Sequence, residues 1–268
     1  MKNKKVLIYY LLELILTTCI FGLFALLILK ITIFNKNYFI KQLNKTNYYH
    51  ELYLEIDNDF ENYLRPSGFD VSIKENLFTE EELKEVINKN VDNFYKGKNI
   101  IVDTSKLKEK LESNIDNYFT KVNLEITDEE SLNMFKDEFI KIYKNRIIFN
   151  DKLINLNKSF AKLNKIINII FYILIMVIMI IFIITKLVFK KLTLFIPLIT
   201  SIILYIITYL FIISKIKIDS IKFWNESVSN IIKNIFYDSL TYMKYICIVG
   251  LILEFIIMII YIIRKKRV

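Results

Sequence analysis

His50-Glu51-Leu52-Tyr53 opens like the zinc-protease pattern His-Glu-x-x-His, in which two histidines one helical turn apart hold the metal and the glutamate activates water. The fifth residue is Leu54, and His50 is the sole histidine of the chain. A two-histidine zinc site is therefore excluded, and His50 reads as a surface or seam residue. The sequence contains no P-loop, no Gly-x-Ser-x-Gly elbow and no Gly-x-Gly-x-x-Gly fingerprint. Cys19 and Cys247 are the only cysteines, and both lie in apolar runs. That leaves no disulfide framework and no thiolate metal site outside those runs. A hydrolase would need a nucleophile or metal cluster that these residues do not supply, so the chain reads as a non-enzyme that calls for no cofactor.

Two acids are harder to set aside. Glu13 and Glu254 interrupt otherwise apolar stretches, Glu13 eight residues beyond Lys5 and Glu254 ten before Arg264. At 1.5 Å per helical residue those separations are about 12 Å and about 15 Å. A charged group at such depth in a bilayer costs at least ~2.5–3.5 kcal/mol on insertion scales. Both side chains are expected to face the bundle interior, neutral and hydrogen-bonded. Tyr9, Thr17 and Thr18, together with Thr200, Ser201, Tyr205 and Thr208, are the candidate partners. The pair then fixes helix packing, relays protons or cations, or snorkels to the membrane surface.

The elements that must position these acids follow from composition. The chain is 54% hydrophobic yet 24% charged, which suits a membrane protein with a sizeable polar part. Four apolar runs, 6–29, 166–185, 192–213 and 245–263, each approximate the ~20 residues that cross a bilayer as a helix. The first exceeds a usual signal-peptide core and lacks a small-x-small cleavage site, so it reads as a retained signal anchor. Lys2, Lys4 and Lys5, then Lys186, Lys190 and Lys191, then Arg264, Lys265, Lys266 and Arg267 flank the runs on one side. The positive-inside rule puts these clusters and both termini in the cytoplasm of a plasma membrane. The three clusters sum to +10 against a net +9. The charge thus orients the chain on lipid headgroups, and nucleic acid is excluded as a partner.

The expected fold is all-α: four transmembrane helices with an extracellular helical stalk-and-cap domain inserted between helices 1 and 2. The segments are 1–34 with span 1, 35–165 outside, 166–188 as span 2 and 192–213 as span 3. They continue with 214–244 as a second exterior segment carrying an amphipathic helix, and 245–268 as span 4 with its basic tail. Between Gly22 and Gly250 the only helix breakers are Pro66, Gly68, Gly97 and Pro197. Tyr49, Tyr53, Ile56, Phe60 and Tyr63 recur at helical spacing, predicting an ascending stalk over about 36–65 that Pro66 ends and Gly68 turns; a break in the Asn-rich part near 35–47 is left open. Thr79 and Glu82 form a capping box for a cap helix over about 79–96 that Gly97 stops, and a second cap helix covers about 104–121. Thr127 opens a descending stalk over about 127–165. Its apolar residues, from Leu132 to Ile170, keep a 3-4 spacing that only Arg146 breaks. This predicts a coiled-coil seam running unbroken into span 2, with Arg146 as a candidate register switch. In the second exterior segment, Ile221, Trp224, Val228, Ile231 and Ile235 share a face, which predicts an interfacial or docked helix. Residues 51–138 sum to −11, whereas 36–45 carry +3 and 141–165 carry +6. This reads as a solvated helical surface, or as an acidic tip meeting a cationic partner or Ca²⁺, although no Asp-x-Asp-x-Asp-Gly calcium loop is present.

The run from Pro66-Ser-Gly through FTEEELKEVINKNVDNFYKGKN to DTSKLKEKLESNIDNYF resembles uncharacterised four-span membrane proteins of low-GC Gram-positive bacteria. These have one large outer loop after the first span. The resemblance implies that architecture and a plasma-membrane location, and it supplies no activity. The leading expectation is a membrane protein whose exterior helical domain mediates surface recognition, sensing or assembly. Its partners are the lipid bilayer and either another protein or a second copy of the chain; the sequence names no small-molecule ligand. The rival is an ion or proton pathway, or a transporter accessory subunit, that uses Glu13 and Glu254.

Overall fold

The structure, a computed structural model, describes residues 2–123, 128–147, 154–189, 195–220 and 226–266. Among these residues it is all-helical and without strands. The helices are α1 (Lys2–Ile31), α2 (Lys36–Lys45), α3 (Tyr48–Ser67), α4 (Glu80–Lys96), α5 (Ser105–Val122), α6 (Glu129–Arg146), α7 (Ile154–Phe189), α8 (Phe195–Lys215) and α9 (Glu226–Lys266). Four candidate membrane spans, Lys4–Ile31, Leu156–Phe189, Ile196–Ser220 and Val228–Ile259, are long and apolar enough to cross a bilayer. The chain divides into two compact bodies, one of Met1–Tyr38 with Asn164–Val268 and the other of Phe39–Leu163.

In the first body α8 packs against both α1 and α9. Gly250 lets α9 approach closely, since a Cβ there would meet Ile202 of α8 at 2.7 Å. Along α1, Leu16 and Ile20 bury against Ile181, Val177 and Ile178 of α7. Lys30 sits 4.2 Å from the Phe171 ring centroid, where the apolar part of α1 ends. The remaining surface of α7 and α9 is apolar and exposed, with Tyr172, Met176, Ile183, Val249 and Phe255 all about half accessible or more. Bare apolar area on this scale fits lipid as its solvent.

Pro197 falls in the first turn of α8, where its missing N–H breaks no intrahelical bond. The separate amphipathic helix expected over 214–244 is corrected: its described part is the start of α9, which runs for 41 residues into span 4. No glycine or proline separates residue 226 from Gly250, so nothing in the backbone stops the helix. Ile221 and Trp224 lie outside the described residues.

The second body is built on aromatic packing. Phe60 of α3 meets Phe139 of α6 at 4.6 Å between ring centroids, and Tyr63 stacks on Phe135 at 5.4 Å. Thr79 caps α4 with the full reciprocal box: its side chain accepts from the Glu82 N–H, and the Glu82 carboxylate accepts from the Thr79 N–H. Gly97 ends the helix at φ 66°, a left-handed conformation that costs most L-residues and costs glycine almost nothing. Asp128 caps α6 by accepting from the Ser131 N–H, and Thr127 lies outside the described residues.

The ascending stalk is two helices, α2 and α3, separated at Asn47, which takes φ 55°, inside the Asn-rich part where the sequence leaves a break open. Three expectations change here. Pro66 does not end α3. It sits in the last turn, where its missing N–H costs one bond with no helix beyond to kink, and Gly68 at φ 78° terminates the element. The seam expected to run unbroken from Leu132 stops at Arg146, because Ile147 is extended at φ −71° and ψ 118° and fully buried. Beyond that break Leu156, Leu163 and Ile170 are all exposed, so the coiled-coil pattern does not carry into α7.

Finally, the helices expected as a cap lie alongside α3 and α6. Asn88 of α4 accepts from the Tyr49 hydroxyl, and Glu112 of α5 reaches Lys136 of α6. Leu83, Ile87 and Val91 of α4 and Leu107, Leu111 and Ile115 of α5 are buried in this body too. Sharing one core buries the apolar faces of all four helices, which two cap helices standing beyond a stalk would not do.

Candidate functional site

Glu13 and Glu254 are both buried, at 7% and 5% exposure. Glu13 lies in the first half of α1. Its backbone carbonyl accepts from the Thr17 hydroxyl at 2.9 Å, and the Tyr9 hydroxyl, one turn earlier, hydrogen-bonds to its carboxyl. Its Oε1 has no hydrogen-bond partner. Ser201 of α8 is fully buried, with its hydroxyl 2.7 Å from the Pro197 carbonyl and 3.0 Å from that of Thr17. That single donor pins α8 to α1 one turn from Glu13.

On the other side, Gly250 abuts Ile202, and Glu254 follows one turn later along α9. The Ile199 backbone lies close to the Glu254 carboxyl, yet neither oxygen attains hydrogen-bond geometry with any group. Glu13 thus lies one turn from the contact of α1 with α8 at Thr17 and Ser201, Glu254 lies beside Ile199 of α8, and no hydrogen bond joins the two acids. Of the candidate partners, only Tyr9 reaches an acid. Thr18, Thr200 and Thr208 donate to carbonyls of their own helices, and Tyr205 packs against Phe21 and Phe24.

The energetics of this arrangement are lopsided. The start of a helix offers the positive end of its dipole, worth ~0.3–1 kcal/mol to an anion and ~2 at most, within its first turn. A charged carboxylate in hydrocarbon costs at least ~2.5–3.5 kcal/mol. The dipole offsets part of that cost and leaves the remainder.

Arg146 is the last residue of α6, one-third exposed, and its partners come from α3. Nε and Nη2 reach Asp59 at 2.5 and 2.9 Å, and Nη1 lies 3.5 Å from Glu55. The Asp59 bond, against some desolvation, holds the guanidinium above its usual range. A register switch required a continuous seam, and the helix ends here instead; Arg146 is a clasp between α6 and α3. Arg146→Leu is expected to destabilise this body by about 1 kcal/mol, since the pair is partly solvated and Glu55 and Asp59 are left as like charges one turn apart. Protease cleavage after Ile147 should quicken. Additive effects of Arg146→Leu and Asp59→Asn in a double-mutant cycle would count against the clasp.

His50 Nδ1 lies 3.0 Å from Glu80 at the start of α4, both about half exposed. Among the described residues no group of three His, Cys, Asp or Glu side chains is placed to hold a metal. Sequence reading missed a cleft of about 280 Å³ between α4 and α5, floored by Leu77, Phe78, Leu107 and Tyr143 and rimmed by Glu85, Lys89, Asp103 and Lys106. Its walls come from separate helices, so no local spacing announces it. Comparison with known proteins finds no family model, no curated protein and no solved structure that matches this chain.

Proposed function

We propose that this multi-pass protein spans the plasma membrane with both termini in the cytoplasm, and that the helical body between its first two spans stands outside and binds a protein partner there. It acts by recognition, as a sensor, accessory subunit or assembly factor, and not by catalysis. The observation that carries this reading is the self-sufficiency of residues Phe39–Leu163. They form a compact body with its own buried core, made of residues between two apolar spans. The basic clusters at the ends of the spans supply the orientation. The cleft between α4 and α5, with an apolar floor and charges of both signs at its rim, supplies a place for contact.

The sidedness is tested in a background of Cys19→Ala and Cys247→Ala. A membrane-impermeant maleimide applied to intact cells is expected to label Ser113→Cys, on the exposed face of α5, and to spare Lys4→Cys. Labelling of Ser113→Cys only after permeabilisation would sink the reading. Recognition is tested with a photo-crosslinking residue at Ile101, which is 69% exposed at the cleft. A discrete crosslinked species is expected in the native membrane, and crosslinking to lipid alone would refute a protein partner at this surface.

A further inference from the structure

We propose that the cleft between α4 and α5 binds a free α-amino acid with an apolar side chain. Asp103, Lys89, Lys106 and Tyr143 would take its two charged groups, and Leu77, Phe78 and Leu107 its side chain. The inference rests on the cleft that the recognition reading uses and adds a small ligand to it. Glu82, near the start of α4, pairs with Lys110 of α5 at 3.0 Å, while Lys89, two turns on, lies within electrostatic reach of Asp103 just before α5. The two helices thus run antiparallel, and the cleft opens between these crossings. Its volume of about 280 Å³ falls just below the ~300–1,000 Å³ of ligand pockets, which suits a ligand as small as an amino acid.

Polar groups converge at one end of this apolar floor. Tyr143 of α6 is buried at 3% exposure and lines the cleft, yet its hydroxyl forms no hydrogen bond among the described residues. Burial, with Glu82 and Asp103 nearby, pushes this phenol up to about 12, so it is a donor at neutral pH. Asp103 accepts from the Ser105 N–H and hydroxyl, both through Oδ1, and these bonds hold its carboxyl below the usual range. Lys89 and Lys106, one on each wall, lie near Asp103, and neither forms an ion pair among the described residues. Glu82 is already engaged by the Thr79 N–H and by Lys110. Two ammonium groups and a phenol therefore surround one carboxylate that keeps Oδ2 for a further donor. A simple anion placed here would meet Asp103, and a simple amine would meet two lysines. A ligand carrying both charges on one carbon satisfies both sets, the carboxylate at Lys89, Lys106 and Tyr143 and the ammonium at Asp103.

The test is isothermal titration calorimetry on the full chain in lipid nanodiscs, with L-leucine as the probe and empty nanodiscs as the blank. Leucine is expected to bind saturably. Isocaproate lacks its ammonium, isoamylamine its carboxylate and glycine its side chain, and each should bind at least ~10-fold more weakly. Tyr143→Phe keeps the ring, and Asp103→Asn keeps an acceptor for Ser105. Each of these, and Lys106→Gln, should weaken leucine by ~3–10-fold and leave the thermal transition of the body in place. No saturable binding of leucine would overturn the proposal. Isocaproate or isoamylamine binding as tightly as leucine would reduce the cleft to an apolar groove and overturn it equally. So would leucine binding that none of the three variants alters, since the ligand would then sit elsewhere. The calorimetry needs no protein partner and the Ile101 crosslink needs no added amino acid, so failure of one leaves the other standing.

Discussion

Phe139→Ala is expected to remove about 3–5 kcal/mol from the body of Phe39–Leu163, the range for deleting a large buried ring. Phe139 is fully buried. Its ring centroid lies 4.6 Å from that of Phe60, 5.1 Å from Phe135 and 5.6 Å from Tyr63. Loss of one ring therefore opens a cavity with aromatic walls on α3 and α6, and rigid rings refill such a space poorly. Domains of this size are stable by only ~5–15 kcal/mol, so about a fifth or more of the total is at stake. In thermal unfolding of the full chain in detergent, the transition of this body should fall by about 10–25 °C. Met134→Ala is the internal control, because Met134 lies on the same helix at 63% exposure and should change stability by no more than ~0.5 kcal/mol. Equal, small effects at both positions would mean that α3 and α6 do not share the core described here.

The contrast between those two methionine and phenylalanine positions marks what could be read from the chain and what could not. Thr79, Glu82 and Gly97 were legible because their chemistry is complete within a few residues: a box needs only positions one and four of a turn, and a C-terminal cap needs only the residue that tolerates positive φ. Four spans were legible because length and apolarity suffice. The end of α6 was not. The 3-4 spacing of apolar residues passes straight through Arg146 and Ile147, and what stops the helix is the burial of Ile147 and the pull of Asp59, 87 residues away. The same limit applies to the acids. Their depth follows from counting residues, while the packing of α8 against both α1 and α9, which buries them, depends on tertiary contacts. The side-by-side packing of α4 and α5 with α3 and α6 was likewise open, since amphipathic helices of these lengths satisfy a cap or a bundle equally well.

Gly97→Ala should show how firmly α4 is held to the start of α7, and the expected loss is about 2–5 kcal/mol. Two costs combine. The residue sits at φ 66°, where an L-side chain is disfavoured by ~1–2 kcal/mol. An added Cβ would also lie 2.8 Å from the Cβ of Ala161, with the Asn157 carbonyl at 3.7 Å, and overpacking of this kind typically costs ~1–3 kcal/mol. Neither neighbour is the far end of a flexible chain. The contact is further fixed by Asn157, whose side-chain amide donates to the Lys98 carbonyl, and by Phe160, whose ring meets Phe94 at 4.9 Å and Tyr95 at 5.2 Å. Gly68→Ala separates the two costs, because Gly68 shares the left-handed conformation at φ 78° but has nothing within 4 Å of the added carbon. It should lose only the conformational part, ~1–2 kcal/mol. Measured relative to Ala161→Gly alone, which carries the ~0.5–1 kcal/mol cost of a glycine inside a helix, Gly97→Ala in the Ala161→Gly background should lose only the conformational part and so match Gly68→Ala. If Ala161→Gly fails to restore any stability, α4 and the start of α7 are not in contact at this point.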